Sequence, residues 1–476
     1  MPHKKVVIIG GGMSGIKAAI DLYNAGITNT VILESQSHLG GRLSTILSEN
    51  HQGTTYDLGA SWFHDCLKNP LLDKVNRLKK AGNGGMETIE YFYDDGKCVY
   101  LDKKLGNVES SFFESILNEF FTFVVLSYTA NPEKPDLSVK DLTFEYLEKY
   151  KDTFSSEQGD VVIGVIRMWT ELWLGESWEK VSGKYTCQDS HLGRNAFVKN
   201  GFQKVFVNEL RELPRWYRDS SIKLNAHVDK IDYSNNKKII VGIKDGRSYT
   251  CDYVIVTIPQ TNLKNDKVKW IPEVPPPIKK VLPEVHFGSL GKVVLEFDEC
   301  FWPENVHRFY VLADDNRTDK STTKDPKPWE YPSLLVNYQA VNNVPSLIAL
   351  TQKPLSEYIE SLPDSPSKDE KIWSIYKPML SKLVGSDSIP IPKKIYHTTW
   401  NKHPLYGGSY GCPIVGAQDP SEVIDAFVNG YQGRIKFAGA ETMDDSSNGC
   451  AHGAWFSGQR EAAYIIAKEG KVSAKL

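Results

Sequence analysis

The chain has 476 residues, 41% of them apolar and 24% charged, a globular mixture that excludes a disordered, collagen-like or disulfide-scaffold protein. Its length predicts at least two domains. A net charge of -3 leaves no global basic field to recruit nucleic acid or anionic lipid, so a charged ligand must be met by local groups. The seven cysteines, at positions 66, 98, 187, 251, 300, 412 and 450, form no CxxC pair and read as reduced thiols in an intracellular compartment.

In chain order, Val6 to Ile9 reads as a short buried parallel strand. Gly10-Gly11-Gly12-Met13-Ser14-Gly15 follows, then a helix with Ile16, Ala19, Ile20 and Tyr23 on one face and Gly26 at its end. Thr30 to Leu33 is a second strand, closed by Glu34. This is a dinucleotide-binding unit. Gly10 permits the tight turn, Gly12 the close approach of a pyrophosphate, and Gly15 the contact of helix with strand. The helix N-terminus, with Ser14 in its first turn, receives the phosphates. Glu34, about 20 residues past the last glycine, takes the adenosine ribose.

Residues 108–180 read mainly as helices. Ile222 to Val228, Ile239 to Ile243 and Tyr249 to Ile258 read as strands, the last two joined by an Asp245-Gly246 hairpin turn, and Lys292 to Phe297 as another. Residues 313–328 and 363–371 are polar and proline-punctuated and read as loops. No apolar run is long enough to cross a bilayer. No HExxH or paired histidine spacing predicts a metal, no GxSxG elbow or Cys/His signature predicts a nucleophile, and no basic-aromatic platform predicts nucleic-acid binding. The last three residues, Ala474-Lys475-Leu476, are a close variant of the Ser-Lys-Leu peroxisomal address. Import into peroxisomes is therefore expected, with the cytoplasm as the alternative.

Several motifs accompany the glycine turn: His38-Leu39-Gly40-Gly41-Arg42, then Gly59-Ala60-Ser61-Trp62-Phe63-His64. Later come His191-Leu192-Gly193-Arg194-Asn195, Tyr253 to Pro259, His286 to Lys292, Phe437-Ala438-Gly439 and Gly449-Cys450-Ala451-His452-Gly453-Ala454. Together they resemble the flavin-dependent amine oxidase family across nearly the whole chain. The SWFHDCLKNP and HLGRNAF stretches are most like those of fungal polyamine oxidases. The likeness extends to a yeast relative named for corticosteroid binding, which leaves two readings open. One is oxidation of a polyamine, a spermine-like secondary amine, with oxygen reduced to hydrogen peroxide. The other is binding of a corticosteroid or another apolar ligand on the same scaffold.

The resemblance implies an α/β fold with a Rossmann-type FAD-binding domain from segments near 1–80, 196–280 and 400–476. An α+β substrate domain from 81–195 and 281–399 completes it. It implies that Gly10, Gly12, Ser14, Gly15, Glu34, Gly41, Arg42, Gly59, Ala60, Ser61 and Trp62 contact FAD. Val228, Trp400, Gly439, Glu441 and Ala451 complete that set. Lys292 stands where the family keeps a lysine beside the flavin, and His64 faces the substrate tunnel, so these two are the candidate catalytic residues. Asp95, Trp173, His191, Asn195 and His452 are the candidate substrate contacts, with His452 as the tunnel wall opposite Trp173. Ser409 stands where monoamine oxidases carry the flavin-linking cysteine, which implies non-covalent FAD. The family's usual residues are replaced by Ala440 (ahead of Glu441), His38 and His403.

Overall fold

The computed structural model describes residues 1–82, 84–108, 110–186, 191–314 and 325–470. Among them, no helix is long and apolar enough to cross a membrane. The C-terminal tripeptide and residues 315–324 of the expected polar loop lie outside the described residues.

Two sheets organise the α/β molecule. In the first, His3–Ile9 lies between Thr30–Leu33 and Ser248–Val256, all parallel. Ser248–Val256 divides its other edge: its start pairs with Ile239–Ile243 antiparallel, its end with Ile435–Phe437 parallel. The C-terminal segment thereby enters the same sheet as the N-terminal glycine turn. The hairpin forms as expected, with Gly246 at φ +90° donating its N–H to the Ile243 carbonyl. The strand expected over Ile222 to Val228 is instead two, Ile222–Lys223 and Val228–Asp232. Asn225 at φ +52° turns the chain between them, a conformation asparagine tolerates better than most residues.

Helices cover both faces of this sheet. Met13–Asn24 and the closing helix Ala451–Lys468 pack together over Ile8, Ile32 and Ile255. Their contact is close because Gly458 faces the Ser14 carbonyl, where a Cβ has no room. Alternate residues Val7, Ile9, Val254 and Val256 face the opposite core, the period-2 pattern of a strand buried on both faces.

The second sheet runs in the order Lys394–His397, Gly291–Glu296, Ser346–Thr351, Ser333–Asn337, Arg308–Val311, Cys98–Asp102 and Gly106–Val108. Val293 and Leu295 point into a core shared with Pro366–Val384. Lys292, Val294 and Glu296 therefore point the other way, toward Tyr56, Trp62 and the helix Ser156–Leu174. The loop expected over 363–371 is corrected: Pro366 is the first residue of that 19-residue helix. A proline there is pre-organised for a helix start, and Ile372, Ile375, Tyr376 and Met379 supply the buried stripe. The helical reading of 108–180 corresponds to Ser110–Ala130, Val139–Lys149 and Ser156–Leu174.

Candidate active site

Between the sheets lies one cavity of 1030 Å³, at the upper end of the roughly 300–1,000 Å³ usual for small-molecule sites. The glycine turn, the GGR turn, the GAxW segment, Lys292 and Trp173 all line it. So do the remaining candidate residues, except Gly15, Asp95 and His452.

At the dinucleotide end, Gly10 sits at φ +109°, and a Cβ there would strike Thr257. A Cβ on Gly15 would strike the Gly10 carbonyl, so Gly15 shapes the turn without lining the cavity. Gly12 is the opposite case: its missing Cβ faces open space, with the Gly40 carbonyl at 4.0 Å as the only neighbour among the described residues. The helix it precedes has no side-chain cap, so its first N–H groups remain available to an anion. The buried Glu34 carboxylate accepts from the Gly11 N–H at 2.7 Å and the Gln36 N–H at 2.8 Å. Each oxygen keeps a lone pair for a ribose hydroxyl. Gln260 also lines the cavity, and its buried side-chain nitrogen has no partner among the described residues. An uncapped helix start, an open glycine face, a ribose acceptor and an orphaned amide fit FAD.

Further along, the Arg42 guanidinium is gripped by both oxygens of Glu441 and donates to the Ser409 carbonyl at 2.6 Å. Glu441 thus brings a buried carboxylate to the cavity although it stands one place later than the family's usual glutamate. Ser409 Oγ accepts from the Leu290 N–H at 2.8 Å, a structural role that offers no thioether link to flavin. Trp400 packs edge-on against Tyr406, and Val228 and Ala451 supply apolar lining.

Lys292 is 4% exposed. Its ammonium donates to the carbonyls of Asp57 at 2.8 Å and Gly59 at 2.6 Å and to Ser61 Oγ. The strand alternation described above delivers it to the GAxW turn. Burial lowers its pKa to about 8, against the opposing pull of Asp57, so the amine crosses between charged and neutral forms near physiological pH.

The tunnel end is built from rings. His64 stacks on His191 at 4.6 Å, and Trp173 approaches His191 at 4.8 Å. Trp62 lies beyond His64 at 6.4 Å. Asn195 Oδ1 accepts from His64 Nδ1 at 3.0 Å. Trp173, 41% exposed, forms the outer rung. Burial holds the His64 pKa down to about 3, so this imidazole stays neutral and does not repel a cationic amine. The unfolded chain binds a proton at His64 below about pH 6.5, whereas the folded protein does so only below about 3. Stability from this group is therefore present above pH 6.5 and lost as the pH falls toward 3. Thermal melts of His64→Gln are expected to fall less steeply than the parent's between pH 6.5 and 4. Parallel curves would contradict the neutral, desolvated histidine.

Two substrate assignments are corrected. Asp95 is exposed and paired with Arg194 outside the cavity. Its neighbour Asp94 lines the cavity, accepting from Trp62 Nε1 at 3.1 Å and facing Arg308 at 3.0 Å. Both follow the end of the strand Tyr91–Tyr93, where Trp62 and Arg308 hold Asp94 inward and Arg194 draws Asp95 outward. His452 is 1% exposed and does not reach the cavity; its Nε2 donates to Asp65 at 3.1 Å. Cys450, at the start of the same helix, lines the cavity. Cys450 is the extended N-cap residue, with φ -93° and ψ 157°, so its side chain leaves the helical path while that of His452 turns to Asp65.

The sequence reading also missed Asp65. Fully buried, it accepts from His191 Nδ1 at 2.9 Å, the Leu192 N–H at 2.7 Å, Ser446 Oγ at 2.7 Å and His452. Those hydrogen bonds and the imidazoles hold its carboxyl down at about 2, outweighing burial. An acid directly after the tunnel histidine was the available signal.

An α/β dinucleotide groove continuous with an aromatic tunnel and a buried lysine defines a flavoprotein oxidoreductase. The chain belongs to the flavin containing amine oxidoreductase family, whose model matches residues 13–466. It is similar to the corticosteroid-binding protein of Candida albicans, 35% identical over 97% of this chain and 96% of the relative. It is also similar to polyamine oxidase 4 of Oryza sativa, 28% identical over 95% of this chain and 86% of that protein. Probable polyamine oxidase 4 of Arabidopsis thaliana is 26% identical over 95% and 85%. The family carries a flavin, here non-covalent FAD.

Proposed function

We propose that this flavin amine oxidase acts on a polyamine, a spermine-like secondary amine. The observation that carries the reading is the continuity of the FAD groove with a ring-lined tunnel that passes the buried Lys292. When bound, FAD would supply the acceptor for a hydride from the carbon beside the amine nitrogen and the passage of those electrons to oxygen, with hydrogen peroxide as product. The chain's own residues orient and desolvate the amine. Trp62, Trp173 and the neutral His64 offer ring faces that attract a cation. Asp94, paired with Arg308, is the carboxylate on the cavity wall. Neutral Lys292 can take a proton at Nζ and hold water near the GAxW turn.

In this reading the segments 1–80, 196–280 and 400–476 hold the cofactor and 81–195 with 281–399 hold the substrate. The C-terminal Ala474-Lys475-Leu476 directs the peroxide-forming enzyme to peroxisomes. The test is anaerobic addition of spermine to the purified yellow protein. Flavin bands should bleach and recover with peroxide when air enters; bands that stay unchanged would reject spermine-like amines. A second reading, an apolar ligand such as a corticosteroid in the same tunnel, is supported by the apolar lining that Met168, Trp169 and Leu172 add beside Trp173 and by the similarity to the Candida albicans protein. A steroid that competes with the amine would place both in one pocket.

A further inference from the structure

The tunnel end holds a set of donor atoms that amine oxidation does not require. One ligand atom each from His64, His191 and Cys450 lies within 4.8 Å of the other two. All three residues line the cavity. We propose that they form a binding site for a soft divalent transition metal, zinc in the first instance, that closes the tunnel reversibly.

Two imidazoles and a thiolate are a ligand set zinc prefers, with Zn–N near 2.0–2.1 Å and Zn–S near 2.3 Å. Drawing the three atoms onto one tetrahedral ion requires side-chain movement of about an ångström. The surrounding hydrogen bonds already have the form of a metal site's outer shell. Metal-binding histidines characteristically donate their other ring N–H to a carboxylate or carbonyl oxygen. Here His191 Nδ1 donates to the buried Asp65 at 2.9 Å, and His64 Nδ1 to the Asn195 amide oxygen at 3.0 Å. Each ring would meet the metal through Nε2.

The charges also balance. On binding, Cys450 releases its thiol proton to solvent, and the thiolate with the Asp65 carboxylate offsets the two positive charges of the ion. The fourth position faces the cavity and is left to water. The ligands stand at positions 64, 191 and 450, so no sequence spacing announces the site; the packing of the closing helix against the GAxW segment creates it. An ion there occupies the passage between Trp173 and Lys292, where an amine would have to travel.

The experiment titrates Zn²⁺ alone, without amine, into chelator-treated, FAD-loaded enzyme by equilibrium dialysis, followed by zinc K-edge absorption. One equivalent per chain with a sulfur and two nitrogens in the shell is expected. Cys450→Ser should weaken binding at least tenfold, and Asp65→Asn about tenfold through the outer shell. Flavin absorbance reports that each variant is folded. No stoichiometric zinc, a shell without sulfur, or binding indifferent to Cys450→Ser would overturn the proposal. The wild-type spectrum decides alone if the variants do not fold. Because no amine is present, the result is independent of which substrate the enzyme takes.

Discussion

Replacing Lys292 with methionine is expected to lower amine turnover about a hundredfold, within the range for losing a positioned proton-transfer group, while flavin remains bound. Methionine keeps the unbranched stem and removes the ammonium. The Asp57 and Gly59 carbonyls and Ser61 Oγ lose their donor, which costs about 1–3 kcal/mol for a buried group left unsatisfied. That loosens the GAxW turn without touching the glycine turn. The pH profile separates a chemical role from this packing effect. With the lysine pKa lowered to about 8 by burial, turnover limited by its neutral form should rise through that pH in the parent. The rise should be missing in Lys292→Met. Stability carries the matching sign: between pH 8 and the unfolded value near 10.4, the unfolded chain binds more protons, so the parent gains stability as the pH rises. Stopped-flow measurement of both half-reactions checks the first claim. Unchanged reductive and oxidative rates in the variant would remove Lys292 from the chemistry.

Gly12→Val should produce a folded protein that has lost its flavin. The space beside Gly12 is bounded by nothing nearer than the Gly40 carbonyl at 4.0 Å, and its φ of -82° suits any residue. The added Cβ therefore meets no described protein atom nearer than 4.0 Å, and the side chain projects into the groove where the pyrophosphate is expected to lie. Overpacking of about 1–3 kcal/mol weakens FAD roughly ten- to a hundredfold. Gly15→Val is the contrasting case, since its Cβ would collide with the Gly10 carbonyl and Ile8 and should destabilise the fold itself. The ratio of flavin to protein absorbance, with thermal melts, distinguishes the two. A Gly12→Val protein with full flavin would mean that the phosphates lie elsewhere.

Both variants probe the features most legible in the chain itself. The strand, glycine turn, helix, strand and acid of residues 3–34 are contiguous, and each constraint is local: a turn only glycine accepts, a helical stripe, a buried apolar run. The hairpin at Asp245-Gly246 and the strand carrying Lys292 were readable for the same reason. Motifs spread along the chain identified the ends of one cavity before any contact was known.

What the sequence left open depended on which way a side chain turns and what meets it from far along the chain. Asp94 and Asp95 are adjacent and chemically identical; the partners that meet them, Trp62 and Arg308 on one side and Arg194 on the other, send one to the cavity and the other away from it. Cys450 and His452 stand two apart, and the helix start between them leaves the extended first residue at the cavity while burying the second against Asp65. Residues 363–371 look polar and proline-broken, yet Pro366 starts a helix because the second sheet offers its apolar stripe a core. The local motif determined the dinucleotide turn, since it rests on neighbours in the chain, and the family resemblance implied the α/β class and the flavin chemistry. The Asp65 hub and the His64–His191–Cys450 cluster were decided only by tertiary packing, because their members meet across more than 100 residues of chain.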